Sequence, residues 1–157
     1  MLIRTDDIFA TIEGLPQFRE AATVLAYWSI GDEIPTQDFL SRWYGRKRLV
    51  LPAVLDDTRM ELREYVEGKM RAGRYGIAEP DVDAPLVDPS EVDFAIVPGR
   101  QFDPDGNRRG HGKGYYDRML AGMRAYTVGI ADESRIVPRI DARPWDVPVK
   151  LVISGRY

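Results

Sequence analysis

Apolar residues along this chain gather in short continuous runs, and polar or helix-like stretches separate the runs. Each run has the length of a β-strand and lacks the polar alternation of a strand with one solvated face. This pattern favours strands that are buried on both faces of a parallel sheet. The runs cover residues 23–28, 49–51, 94–97, 126–130 and 149–153.

Stretches with helical periodicity lie between several of these runs. Ile8, Ile12 and Leu15 fall on one helical face, and two further helices are predicted over residues 36–44 and 115–123. Strands and helices in alternation predict an α/β fold in a single domain, with a mostly parallel sheet that is flanked by helices.

Two stretches depart from this alternation, and one residue marks a helix start. Residues 60–66 alternate in polarity and are predicted to form a strand, although a helix start also fits their pattern. Residues 78–92 are rich in proline and aspartate, which predicts a surface loop inserted within the domain. Thr36 is predicted to be the N-cap of the helix that follows it.

The fold class also predicts where a ligand would bind. In open α/β sheets, ligands bind in the crevice beyond the carboxyl ends of the strands. The segments that follow the predicted strands are therefore expected to lie near one another. They are residues 29–36, 52–56, 98–117 and 131–135.

Composition narrows the class of protein. The chain has 157 residues, enough for one domain, and its net charge of −3 gives no global signal for nucleic acid. The absence of cysteine excludes disulfides, thiolate nucleophiles and cysteine-bound metals. Residues 1–9 lack the apolar core of a signal peptide, and no apolar run approaches the roughly 20 residues of a membrane-spanning helix. We expect a cytoplasmic protein that binds neither nucleic acid nor a membrane.

One glycine-rich loop carries the strongest chemical signal. Residues 98–118 read PGRQFDPDGNRRGHGKGYYDR and connect an apolar run to a predicted helix. The spacing of the glycines matches neither GxGxxG nor a P-loop. Glycines let the backbone approach an anion closely and turn its amides toward it. The loop glycines are Gly110, Gly112 and Gly114.

Charged residues of this loop suit polyphosphate and a metal. Arg108 and Arg109 can grip phosphate oxygens in a bidentate manner, and Lys113 can act as a mobile point charge. Asp117, in the first turn of the predicted helix, can bind magnesium, which takes one or two carboxylates together with phosphate oxygens and water. An exposed turn with solvated charges, and an acid that only favours the helix dipole, are the alternatives.

Aromatic and acidic residues are candidates for contact with a flat ligand. Tyr115 is predicted to face the crevice, where an aromatic ring can line a heterocycle. Tyr116 falls on the core-facing side of the same helix. His111 is the only histidine, so it has no partner for a histidine metal site. Glu33, in a strand-to-helix loop, can accept hydrogen bonds from an amino-substituted ring, and a solvated acid is its alternative. Tyr75 lies in a stretch that indicates a structured turn.

These motifs together resemble one known family. PGRQFDPDGNRRGHGKGYYDR is similar to the signature of the 5-formyltetrahydrofolate cyclo-ligases, also called methenyltetrahydrofolate synthetases. The resemblance covers essentially the whole chain from about Leu15. Four more segments match in the family's order, and they are LPQFREAATVLAYWSIGDEIPT, KRLVLPAV, YGIAEP and WDVPVK.

The resemblance implies a fold and an activity. The fold is an α/β domain similar to the ribose-isomerase and CoA-transferase-like group. The activity is the closure of 5-formyltetrahydrofolate to 5,10-methenyltetrahydrofolate, with ATP as co-substrate, magnesium as the metal, and ADP and phosphate as products. The resemblance also implies that the partner is a small reduced folate, and we expect the chain to act as a monomer.

The resemblance assigns the nucleotide and metal residues. The ATP-binding segment corresponds to Arg108, Arg109, Gly110, His111, Gly112, Lys113, Gly114, Tyr115 and Tyr116. Of these, Arg108, Lys113 and Tyr115 are expected to act in catalysis. Asp117 and Asp146 match acids that are associated with the metal.

The resemblance also assigns the folate residues. Trp28 and Glu33 match positions that contact the substrate, and His111 and Tyr115 border it as well. Tyr75 falls where the family places an aromatic residue beside the folate.

Three departures from the family pattern leave alternatives open. The chain begins at MLIRTDDIF, which resembles the inside of a basic N-terminal helix that supplies ATP contacts in the family. Residues 132–135 lack a glutamine that is often present, and Trp145 stands where histidine is common. We therefore expect one cyclo-ligase domain over residues 1–157 that lacks the start of that helix. The alternatives are a folate- or nucleotide-binding homologue with weak or no turnover and, from the loop alone, a phosphosugar-binding domain.

Overall fold

A computed structural model describes all residues from 1 to 157. The chain forms twelve strands and four α-helices. The strands are β1 Leu2–Arg4, β2 Thr23–Leu25, β3 Arg48–Val54, β4 Met60–Glu64, β5 Met70–Ala72, β6 Ala78–Pro80, β7 Leu86–Val87, β8 Phe94–Val97, β9 Gln101–Phe102, β10 Arg108–Arg109, β11 Tyr126–Asp132 and β12 Leu151–Gly155. The helices are α1 Ile8–Gly14, α2 Pro16–Glu20, α3 Gln37–Trp43 and α4 Tyr115–Leu120.

Eight strands form one twisted layer in the order β1-β12-β11-β8-β2-β3-β4-β7. The first six are parallel to one another, and β4 and β7 add an antiparallel edge. Two short antiparallel hairpins, β5–β6 and β9–β10, stand outside this sheet. The prediction of a mostly parallel α/β sheet flanked by helices is confirmed. No helix is long and apolar enough to cross a membrane.

The central strands bury side chains on both faces, as their unbroken apolar runs predict. In β8, Phe94 and Ile96 belong to a core cluster of 19 buried residues, whereas Ala95 and Val97 belong to a second cluster of 14 on the other face. Helices α1, α2 and α3 cover the first face, and α4 covers the second with Met119 and Leu120. The sheet is therefore packed between two apolar layers, and these layers do not cover the carboxyl ends of its strands.

Two predictions at the level of single elements are wrong or incomplete. Residues 78–92 are not only a surface loop, because they contain β6, β7 and a 3₁₀ turn at Pro89–Glu91. Composition does not predict such short strands, because proline and aspartate lie at or next to their ends. Thr36 does precede α3, but its hydroxyl donates to the carbonyl of Tyr27 at 2.6 Å and does not cap the helix. The strand predicted at residues 60–66 is present as β4.

A buried carboxylate organises the loop side of the fold. Asp103, only 1% exposed, accepts hydrogen bonds from the backbone amides of Asp105, Asn107 and Ile140 at 3.0, 2.9 and 2.9 Å. The Asn107 side-chain amide adds a fourth at 3.0 Å. Next to this turn, Gly106 has φ of 88°, and a side chain there would collide with the carbonyl oxygen of Val149. Asp103 thus joins the β9–β10 hairpin to the segment around Ile140.

We expect Asp103→Ala to lower the free energy of unfolding by about 2–4 kcal/mol, because several buried amides lose their acceptor. Burial alone raises the pKa of the Asp103 carboxyl, but the hydrogen bonds outweigh burial and the pKa is lowered. Its stabilising effect is therefore present above the unfolded pKa of about 3.9 and is lost as pH falls through the lowered folded pKa. Urea unfolding between pH 7 and pH 3 measures both effects.

Asp105→Ala is the matched control, because the Asp105 carboxylate makes no hydrogen bond within the protein and is exposed. It should leave the free energy of unfolding within about 0.5 kcal/mol of the wild type. Equal losses for the two variants would contradict the organising role of Asp103.

Candidate active site

A cavity of about 730 Å³ opens beyond the carboxyl ends of β2, β3 and β8. Its walls come from the loops after these strands, from the glycine loop and from the β5–β6 hairpin. Every residue that the sequence assigns to a site lines this one cavity, namely Trp28, Glu33, Tyr75, residues 108–117 and Asp146. Residues 131–135 line a smaller neighbouring pocket instead, and residues 140–146 take their place in the main wall.

The glycine loop has a backbone that only glycine adopts without strain. Gly112 and Gly114 have φ of 89° and 72°, and Gly114 is the residue before α4. Gly110 approaches the Arg108 guanidinium so closely that an added Cβ would lie 2.8 Å from Nη2. The alternating glycines therefore serve two purposes, since they turn the chain into α4 and leave room for a folded arginine side chain.

Arg108 is buried beneath the loop. Its side chain is 8% exposed, its Nε donates to the Pro98 carbonyl at 2.7 Å, and its Nη1 lies 4.0 Å from Asp117 Oδ1. The guanidinium also stands over the Tyr116 ring, 4.9 Å from the centroid. Burial lowers the pKa of Arg108 from its usual value, and Asp117 and Asp146 partly offset this. An arginine remains charged under these conditions, so the floor of the cavity carries a fixed positive charge.

Arg109 and Lys113 are exposed cations. Arg109 makes one side-chain hydrogen bond, from Nη1 to Gln101 Oε1 at 3.3 Å. The Lys113 ammonium lies 3.8 Å from Asp57 Oδ1, and the Arg74 guanidinium approaches the same oxygen at 3.1 Å. Asp57 therefore neutralises two cations at the cavity mouth, although such exposed pairs are weak.

Tyr115 joins the glycine loop to two hairpins. Its hydroxyl donates to the backbone carbonyl of Asp56 at 2.6 Å and lies 3.4 Å from the hydroxyl of Tyr75. The hydrogen bond with Tyr75 and burial raise the pKa of Tyr115 to about 12. Tyr115 is therefore a neutral phenol at physiological pH, and it donates its one proton to the Asp56 carbonyl.

Tyr116 contacts both the core and the cavity. It packs against the second core cluster, as its position on the helix predicts, and it also lines the cavity beside Arg108. Burial raises the pKa of Tyr116 well above its usual value.

The turn that carries Asp146 is hydrogen-bonded to Asp117 at the start of α4. Asp117 Oδ1 accepts the backbone amide of Val147 at 3.3 Å, and Asp146 Oδ2 accepts that of Arg143 at 2.8 Å. The second oxygen of each carboxylate accepts no hydrogen bond from the protein. No cluster of three or more acidic or histidine residues is present, so any cation here would take these two acids together with ligand oxygens.

The remaining predicted residues form a less charged wall. Glu33 is half-buried, its Oε1 accepts the Ile30 amide at 2.9 Å, and burial raises its pKa. Trp28 packs near Tyr65 with ring centroids 6.3 Å apart. His111 is exposed and makes no hydrogen bond with the protein.

Sequence reasoning missed several residues of this cavity. Glu79 is 4% exposed, accepts the Val54 amide at 3.1 Å and lies 2.9 Å from Arg71 Nη2. It fixes the β5–β6 hairpin, and therefore Tyr75, against the end of β3. The sequence did contain a signal for Glu79, because its carboxylate stands between apolar residues in the YGIAEP segment. Asp141 and Arg143, which also line the cavity, gave no such signal, because turns rich in charge are common on protein surfaces.

Comparisons with known proteins identify the family of the chain. Residues 2–155 match the model of the 5-formyltetrahydrofolate cyclo-ligase family. The chain belongs to this family.

Relatives share about a third of their residues with the chain. The 5-formyltetrahydrofolate cyclo-ligase of Haemophilus influenzae is 32% identical over 145 residues, which cover 87% of this chain and 78% of that protein. The mouse 5-formyltetrahydrofolate cyclo-ligase is 36% identical over 153 residues, covering 87% and 75%. The family resemblance of the sequence is thereby confirmed.

Solved structures of the family have the same fold. The NMR structure of Aquifex aeolicus 5,10-methenyltetrahydrofolate synthetase matches with a TM-score of 0.83 and 32% identity, over 94% of this chain and 75% of that one. A 5,10-methenyltetrahydrofolate synthetase from Mycoplasma pneumoniae, 24% identical, matches with a TM-score of 0.72, over 92% and 79%, and supports the fold.

Arg108 and Arg109 offer a matched pair for a test of the buried cation. Arg108→Met should lower the free energy of unfolding by about 2–3 kcal/mol, because Asp117 loses its counter-charge and the Pro98 carbonyl loses its donor. Arg109→Met should change it by less than about 0.5 kcal/mol. Urea unfolding of both variants at pH 7 measures the difference, and a larger loss for Arg109→Met would contradict the account.

Proposed function

We propose that this chain converts 5-formyltetrahydrofolate to 5,10-methenyltetrahydrofolate, consuming ATP with magnesium and releasing ADP and phosphate. The observation that supports this most is that one cavity unites a basic glycine loop, two carboxylates and an aromatic wall with an acid. Its volume of about 730 Å³ falls in the range of about 300–1,000 Å³ that is typical of ligand pockets.

The reaction must turn the formyl oxygen of the substrate into a good leaving group. This oxygen belongs to an amide, and it does not leave the formyl carbon as hydroxide or oxide. Attack of this oxygen on the γ-phosphorus of ATP releases ADP and gives an imidate phosphate. The second folate nitrogen then attacks the formyl carbon and loses its proton to solvent, the carbon–oxygen bond breaks, and phosphate leaves. Phosphoryl transfer of this kind requires mainly positioning and charge neutralisation.

Cations of the glycine loop suit the phosphate groups. Arg108 supplies a fixed charge at the cavity floor, and Arg109 and Lys113 supply exposed charges above it. Tyr115 keeps its proton at physiological pH, and its hydroxyl would donate to a phosphoryl or formyl oxygen by turning away from the Asp56 carbonyl that accepts it in the free protein. Arg108, Lys113 and Tyr115 are therefore the proposed catalytic residues, with residues 108–116 as the nucleotide-binding segment.

Asp117 and Asp146 fit a magnesium ion. Each keeps one carboxylate oxygen free of protein hydrogen bonds, and magnesium takes one or two carboxylates together with phosphate oxygens and water. When bound, the ion neutralises charge on the phosphate groups. The protein's own contribution is to hold the two acids together through the Val147 amide.

The less charged wall suits the reduced folate. Glu33 can accept hydrogen bonds from an amino-substituted ring, and Trp28 and Tyr75 offer aromatic surface on which a flat ring packs. His111 and Tyr115 stand where this wall meets the glycine loop. We further propose that residues 1–157 act as a single cyclo-ligase domain and as a monomer.

The activity is tested by mixing the protein with ATP, magnesium and 5-formyltetrahydrofolate. We expect the near-ultraviolet absorbance of methenyltetrahydrofolate to rise, and the rise should require both ATP and magnesium. Calorimetric binding of the ligands without any rise would refute the proposed function and support a homologue that binds without turnover.

Asp117 tests the metal site. Asp117→Asn keeps the shape of the side chain but removes its charge, so turnover at limiting magnesium should fall by at least about tenfold, which corresponds to roughly 1.4 kcal/mol. Asp141→Asn is the control, because Asp141 also lines the cavity but is 91% exposed and pairs only with Arg139. Initial rates across a magnesium titration measure both. Wild-type rates for Asp117→Asn at limiting magnesium would refute a metal role.

A further inference from the structure

Large apolar side chains stand exposed on the rim of the cavity. Tyr75 is 51% exposed and Trp145 is 64% exposed, and both line the cavity. Tyr75 has a proposed partner in the folate. Trp145 has none, and it contacts neither core cluster. An indole at the mouth of a ligand cavity that packs against neither core cluster is surface on which a planar ligand can stack.

The turn that carries Trp145 is held firmly. The Arg143 amide donates to Asp146 Oδ2 at 2.8 Å, and the Asp146 amide donates back to the Arg143 carbonyl at 3.0 Å. The Val147 amide bonds to Asp117 at 3.3 Å and joins the turn to α4. The indole is therefore presented by a closed turn that is tied to the proposed metal site.

Arg143 orients the ring. Its guanidinium lies 5.6 Å from the centroid of the Trp145 ring, and it forms no ion pair with a carboxylate. A cation over one face of an indole restrains the ring and leaves its other face for a ligand.

Position favours one of the two proposed ligands. Trp145 is the immediate neighbour of Asp146, whereas Tyr75 lies in the β5–β6 hairpin on another wall. A nucleotide joins a planar base covalently to phosphate groups that bind near a metal. A stacking surface next to a metal-binding acid therefore suits its base. We propose that Trp145 is the platform on which the nucleotide base stacks, with Arg143 as the residue that positions it. This inference rests on the proposed function.

Stacking has a consequence for specificity. Every base has a flat π-face, so stacking distinguishes nucleotides from inorganic polyphosphate but discriminates little between purines. Trp145 should therefore contribute similarly to the binding of ADP and GDP, and nothing to the binding of inorganic tripolyphosphate.

Calorimetry with three probes tests the platform. With magnesium present, Trp145→Ala should weaken the binding of ADP and of GDP by about tenfold, and Trp145→Phe should restore most of the affinity, because stacking needs only an aromatic face. Tripolyphosphate should bind the wild type and both variants equally. Tyr157→Ala is the control, since Tyr157 is an exposed aromatic residue, 60% exposed, outside the cavity.

Three outcomes would overturn the inference. They are an equal loss of tripolyphosphate binding in Trp145→Ala, unchanged ADP affinity in that variant, or a loss of ADP affinity that Trp145→Phe does not restore. A failure of the proposed function can be distinguished from a failure of this inference. Wild-type protein that binds ADP but forms no methenyltetrahydrofolate contradicts the function, while the comparison of ADP with tripolyphosphate still decides the role of Trp145.

Discussion

The buried carboxylate of Asp103 is the constraint on which the geometry of the cavity depends. Two of its hydrogen bonds close the turn before β10, and a third reaches the amide of Ile140, so that one group joins two segments that are far apart in the chain. The hairpin leads directly into Arg108, and the Ile140 segment leads to Asp146. A buried ion is destabilising unless it is fully hydrogen-bonded. A shift of either segment would break hydrogen bonds to Asp103 and so destabilise the fold. The cation and the acid of the proposed site are thereby held at a set separation without touching each other.

Charge balance explains why the cavity can be basic and acidic at once. Arg108 is too deeply buried to be stable alone, and Asp117 compensates it at 4.0 Å with only part of its hydrogen-bonding capacity. The same acid therefore stabilises the fold and keeps an oxygen for a cation. This arrangement suits a site that receives phosphate and metal together, because each adds a charge opposite to one that is already present.

The sequence predicts the central strands and the glycine loop better than the short strands and buried acids around the cavity. The central strands carry runs without polar residues, and such runs have few alternatives to a parallel sheet, so β3, β8 and β11 were predictable. The glycine loop was predictable from the spacing of its glycines and from its charged residues. By contrast, β6 and β7 are two or three residues long and contain or adjoin proline, so only their partners in space define them. Glu79 and Asp103 are acids that sequence patterns assign to the surface, because their burial depends on amides that are distant in the chain or hidden in a turn.

Contacts at the mouth of the cavity relate the two proposed ligands to each other. Asp57 lies between Lys113 of the glycine loop and Arg74 beside Tyr75, so one exposed carboxylate is shared by the nucleotide wall and the folate wall. Exposed pairs of this kind contribute about 0–1 kcal/mol, whereas a charged hydrogen bond to phosphate contributes about 1.5–3. Under the proposed function, a polyphosphate on the glycine loop would therefore outcompete Asp57 for Lys113. Asp57 would then pair with Arg74 alone, next to Tyr75 in the β5–β6 hairpin. The shared carboxylate of Asp57 is thus a direct link between the glycine loop and that hairpin.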